Sequence, residues 1–131
     1  MDKKELFEKM KNVNLPLGEY AVFGSGLLCA KWLRDCADID ILMSKKLFEK
    51  IKNDHIWKLE IKNNGSECLK NGKIEAFKEW HPGEWDNSSI IKNAEIIDGV
   101  PFVKKENVIR WKEMRNLDKD KKDLEMLKNI T

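Results

Sequence analysis

Residues 37–43, Ala-Asp-Ile-Asp-Ile-Leu-Met, constrain the chain more than any other stretch. Ile39, Ile41 and Met43 alternate as one apolar face of a strand, which leaves Asp38, Asp40 and Leu42 on the other. Residues two apart on a strand share a side, about 6.5–7 Å from each other, so the two carboxylates converge. Two acids converging on an apolar strand repel and resist burial unless something positive stands between them. A hard cation such as Mg²⁺ meets that need, because it takes oxygen ligands and shares itself with substrate phosphates. For an isolated Asp-x-Asp, an edge strand whose acids face water is the plainer reading.

A second feature lies just upstream. Glu19–Phe23 is a short aromatic and β-branched run that stops at Gly24-Ser25-Gly26, and Leu27–Arg34 follows as a helix. A strand that enters a helix through such a turn leaves backbone N–H groups free, and Gly24 lets an anion approach the chain while Ser25 adds a hydroxyl. Alone this is an ordinary tight turn. Arg34, four residues before Asp38, is a candidate for steadying a phosphate.

The rest of the pattern is mixed. Leu6, Phe7 and Met10 recur at helical spacing within Lys3–Lys11, and Ser44 caps a helix over Lys45–Asn53. Strands are expected at Ile56–Ile61, Glu67–Leu69 and Lys73–Phe77, divided by Asn63-Asn64-Gly65 and Asn71-Gly72 turns. Another hairpin spans Ala94–Ile97, Asp98-Gly99 and Pro101–Val103. From Lys105 two helices meet near Asn116–Asp118. The expected fold class is α+β, in a single domain over residues 1–131.

Composition narrows the partners. With 131 residues the chain suits one core, and 41% apolar against 37% charged residues excludes wholesale disorder. Basic and acidic side chains, 25 and 23, nearly cancel and are interspersed, which gives no general case for nucleic-acid binding. No apolar run approaches the ~18 residues of a membrane span and no signal-peptide core is visible, so a soluble cytoplasmic protein is expected. Cys29, Cys36 and Cys68 lack metal spacing and are odd in number, which suits buried reduced thiols without disulfides. His55 and His81 have no spacing partner for a metal. Trp32, Trp57, Trp80, Trp85 and Trp111 read chiefly as core or rim packing, although the aromatic loop from Trp80 to Trp85 could stack on a base or acceptor.

Taken in order, the run VFGSGLLCAKWLRDCADIDILM, residues 22–43, resembles the nucleotidyltransferase superfamily typified by DNA polymerase β and the small bacterial minimal nucleotidyltransferases. The shared pattern is a hydrophobic residue, Gly, Gly or Ser, a gap, then Asp-x-Asp between hydrophobic residues; residues 26–37 form the gap here. A third acid on a later strand is expected of such a family, and Glu75, after the Asn71-Gly72 turn, takes that place. Towards the end, Lys112 and Lys119-Asp120-Lys121-Lys122-Asp123-Leu124 resemble the close of antibiotic-adenylyltransferase-like and AbiEii-like members. In that pattern an arginine belongs where Leu117 stands, and Arg115 lies two residues earlier.

The resemblance implies a nucleotidyltransferase fold, with a mixed sheet, helices packed on one side and C-terminal helices. It implies Mg²⁺-dependent transfer of a nucleoside monophosphate, AMP foremost, from a nucleoside triphosphate to a hydroxyl of a small molecule or macromolecule. Asp38, Asp40 and Glu75 would be the catalytic, metal-holding acids for two Mg²⁺ ions. Gly24, Ser25, Arg34, Lys112 and Lys119 would bind the nucleotide. The small size implies that an acceptor surface comes from a second copy or a partner chain. Alternatives are a toxin that modifies tRNA or protein, and a nucleotide- or partner-binding module without activity.

Overall fold

Two apolar stretches pair to make the middle of the sheet. In the computed structural model, which describes residues 1–130, Tyr20–Phe23 (β1) runs antiparallel to Ile39–Met43 (β2), with Phe23 opposite Asp40. Ile74–Phe77 (β5) lies parallel to β2 on its other side and sets Glu75 beside Asp40. Lys58–Ile61 (β3) and Glu67–Asn71 (β4) extend the sheet as a hairpin, while Glu95–Ile97 (β6) and Val100–Phe102 (β7) close the opposite edge. The mixed seven-stranded order is β3-β4-β5-β2-β1-β7-β6.

Among the described residues six helices accompany it: Lys3–Val13 (α1), Gly26–Ala30 (α2), Lys45–Ile51 (α3), Asn87–Lys92 (α4), Lys105–Arg115 (α5) and Asp118–Lys128 (α6). Asp2, Ser44 and Asp86 cap α1, α3 and α4 by accepting from backbone N–H groups, as short polar side chains do at helix starts. The α+β reading therefore holds. One-sided helix packing does not: α2 lies on Val22, whereas α5 sends Trp111 to its neighbour Phe23, which alternation turns to the other face.

Two boundaries, one burial and one element differ from expectation for local reasons. The helix expected to reach Arg34 stops at Ala30, and Trp32 takes a left-handed φ of 62°, a conformation that ends a helix. Trp32 is 76% exposed, so it is not the packing residue expected there. The strand expected from Ala37 begins at Ile39, so Asp38 precedes it and is exposed. Leu42, placed by alternation beside the two acids, is fully buried, because β2 is central and covered on both faces. α4 has no counterpart among the expected elements; Asp86 caps it and Ile90 and Ile91 are its buried residues.

Cys29, Cys36 and Cys68 are free and buried, as expected. Among the described residues no helix is long and apolar enough to cross a membrane.

Gly26 fixes how α2 meets the sheet. A Cβ there would stand 2.4 Å from Cγ1 of the fully buried Val22. Gly26→Ala is expected to destabilise the protein by about 1–3 kcal/mol in urea unfolding, the usual cost of overpacking. Adding Val22→Ala should restore part of the loss; an unaltered single variant would contradict this contact.

Candidate functional site

The turn after β1 and the acid of β2 meet directly. Gly24 holds a φ of 69°, and a Cβ there would lie 3.5 Å from Asp40 Oδ2 and 3.8 Å from the Trp111 ring. Glycine thus lets the chain turn over the carboxylate. Ser25 begins α2 without making a side-chain cap. Its Oγ instead accepts from Arg34 Nη2 at 2.8 Å and from Lys112 Nζ at 3.5 Å. With only five residues, α2 contributes little dipole to this turn.

Asp40 and Glu75 stand in register on parallel neighbours, so their side chains share a face. Burial foremost, then the Glu75 and Asp38 charges and a hydrogen bond with Glu75, push the Asp40 carboxyl up to about 7; Lys62 opposes the shift. Asp38 acts on Asp40 through its charge, from an exposed position ahead of the strand. Glu75 Oε1 receives Lys62 Nζ at 2.5 Å and Cys68 Sγ at 3.9 Å.

Asp40 and Glu75 open into a cleft of about 480 Å³ that Phe77, Trp80 and Trp111 also line. Lys62, Asn63, Asn64 and Ser66, from the turn between β3 and β4, form one rim, and Glu79, His81 and Arg115 form another. Trp80 stacks on Phe23 at 4.3 Å, and Trp111 donates its indole N–H to the His81 carbonyl at 2.8 Å. Trp80 Nε1 is the one buried side-chain polar atom among the described residues with no hydrogen-bond partner. Asp38 does not line the cleft. Among the described residues no group of three or more His, Cys, Asp or Glu side chains is arranged to hold a metal ion.

The basic residues assigned to the nucleotide are mostly engaged elsewhere. Lys112 is fully buried, with Nζ 2.8 Å from Asp123 and 3.5 Å from Asp120. Arg34 grips Asp123 with two bonds of 2.8 Å, and Arg115 grips Asp120 at 2.5 and 2.9 Å while lying over the Trp111 ring. Burial would raise the Asp120 carboxyl, but the bonds from Arg115 and the Leu117 N–H, with Lys112, bring it down to about 2. Asp123 is likewise opposed by burial and lowered by Arg34 and Lys112. Lys119 is exposed, outside the cleft, and has no ion pair among the described residues. The C-terminal Lys-Asp signature thus builds a buried ion network that braces Ser25; it does not bring Lys112 or Lys119 to the cleft.

The cations that do line the cleft, Lys62 and Arg115, were not among the sequence candidates. Lys62 adjoins the Asn63-Asn64-Gly65 turn, and the hairpin that this turn predicts folds it back towards Glu75; that was the available signal. Comparison with known proteins adds no identity: no family model matches the chain, and neither does any curated protein or solved structure.

Proposed function

We propose that the protein is a Mg²⁺-dependent nucleotidyltransferase, moving a nucleoside monophosphate, AMP foremost, from a nucleoside triphosphate to an acceptor hydroxyl. The observation that carries this reading is the pairing of Asp40 and Glu75 in one cleft with the Gly24 turn packed directly against the Asp40 carboxylate, although Gly24 and Ser25 themselves do not line the cleft. Unrelieved carboxylate charge at Asp40 fits a hard cation, and Mg²⁺ needs only one or two protein carboxylates when phosphates and water complete its shell. That demand is compatible with a site lacking three assembled protein ligands.

When bound, Mg²⁺ would polarise the phosphoryl oxygens and lower the cost of activating the acceptor hydroxyl. Asp40 and Glu75 would hold it, with Asp38 facing from the mouth of the strand. Gly24 and Ser25 would hold the triphosphate, the Ser25 hydroxyl being oriented by Arg34 and Lys112. The acceptor is a small molecule or a macromolecule.

A second reading, a nucleotide-binding module without transfer, is favoured by the exposure of Asp38 outside the cleft. Thermal unfolding with ATP, with Mg²⁺ and with both tests the shared premise. The midpoint is expected to rise most with both together, and no rise under any condition would reject both readings. Pyrophosphate release in the presence of acceptor separates the enzyme from the binder.

A further inference from the structure

The cleft needs a cation for phosphate, and the residues assigned that task from sequence are unavailable to it. Arg34 and Lys112 are bound to Asp123, and Lys119 is outside. Arg115 reaches the rim, but Asp120 holds it by two bonds and its guanidinium lies 4.1 Å from the Trp111 ring centre. Lys70, opposite Glu75 across the β4 pairing, does not line the cleft. That leaves Lys62, the lysine of the cleft lining.

Lys62 differs from the others in how it is held. Its ammonium pairs with Glu75 at 2.5 Å and more distantly with Glu60 at 4.0 Å, yet the side chain remains 38% exposed. It stands at the base of a tight turn closed by bonds between Lys62 and Ser66 and from Gly65 N–H to Lys62 O. Four rotatable bonds let the ammonium swing while that turn stays closed. Glu75 is also one of the two carboxylates that would take a divalent cation, so ammonium and cation would compete for one carboxylate.

We infer that Lys62 is the phosphate-binding lysine of this site, parked on Glu75 in the empty cleft and transferred to the triphosphate when a divalent cation takes Glu75. The inference rests on the nucleotidyl-transfer reading and adds to it a residue with two alternating partners. It makes cation and nucleotide binding mutually favourable, because each releases Lys62 to the other's advantage. Without nucleotide, Lys62 opposes the cation; with nucleotide, it strengthens the complex.

Calorimetric titration of Mg²⁺ alone, and of ATP with Mg²⁺, into wild type and Lys62→Met tests this. Lys62→Met is expected to bind Mg²⁺ alone about three- to fivefold more tightly, the worth of one partly exposed ion pair. It should bind ATP with Mg²⁺ about tenfold more weakly, the worth of one charge-assisted contact. Lys62→Arg should restore most nucleotide affinity. If Lys62→Met binds both as wild type does, Lys62 has no such role and the nucleotidyl-transfer reading stands. If wild type binds neither Mg²⁺ nor ATP, both ideas fall together. Matching far-UV spectra and urea midpoints establish that the variants are folded.

Discussion

Alanine at Asp123 is expected to cost the fold about 3–5 kcal/mol, the largest stability loss we anticipate from a single change. Asp123 is nearly buried and receives both Arg34 and Lys112, and Lys112 is fully buried with Asp120 as its other carboxylate at 3.5 Å. Truncation leaves the Lys112 ammonium without its close partner and releases Arg34. Because Arg34 and Lys112 also donate to Ser25, the Gly24-Ser25 turn should loosen as well. Urea unfolding measures the loss. Pairing Asp123→Leu with Lys112→Met should recover much of it, since an apolar pair of similar volume often replaces a buried ion pair without net cost. The same network sets the acid limit. Asp120, held near 2, and Asp123, also lowered, supply stability above the ordinary carboxylate pKa, about 3.9, that disappears as pH falls through the folded value. Acid unfolding is therefore expected between about pH 4 and pH 2, and the Asp123→Leu/Lys112→Met variant should lose less there.

Asp40→Asn is expected to abolish nucleotide transfer while making the protein more stable. Asp40 is pushed up to about 7 by burial and by facing Glu75 on β5 and Asp38 ahead of β2, with only Lys62, from the β3–β4 turn, in opposition. The folded state thus binds a proton that the unfolded chain releases near pH 4, and stability falls as pH rises from about 4 to about 7. Above pH 7 the full cost of the charge applies. Removing it should add about 1–3 kcal/mol at pH 8 and almost nothing below pH 4. Mg²⁺ should narrow the difference by stabilising wild type alone. Equal stability of the two proteins at pH 8 would show that Asp40 carries no strained charge.

The centre of the fold was legible because its signals are local. Alternation around Ile39, Ile41 and Met43, a glycine where φ is positive and Asn-Gly turns each act within a few residues, and together they placed β1, β2 and β5; the pairing of Gly24 with Asp40 came from the family resemblance. Glu75 came from the family resemblance, as the acid of a later strand after the Asn71-Gly72 turn, and the structure sets it beside Asp40 on β5. The basic residues were less legible, because charge is visible in sequence and its partner is not. Arg34 is tied to an aspartate 89 positions away, and Lys112 to ones 8 and 11 positions away. What reads as a solvated or phosphate-seeking lysine is a buried structural one. Asp38 shows the other limit: alternation pairs it with Asp40, but the strand starts one residue later, which leaves it at the mouth of the site.

The most direct measurement is Mg²⁺-dependent transfer of label from α-labelled nucleoside triphosphates to total tRNA, to protein and to an aminoglycoside and lincosamide panel. Wild type is expected to label at least one acceptor and release pyrophosphate in equal amount, with no transfer by Asp40→Asn and none in chelator. Label incorporation by Asp40→Asn at the wild-type rate would contradict the assignment of chemistry to this cleft.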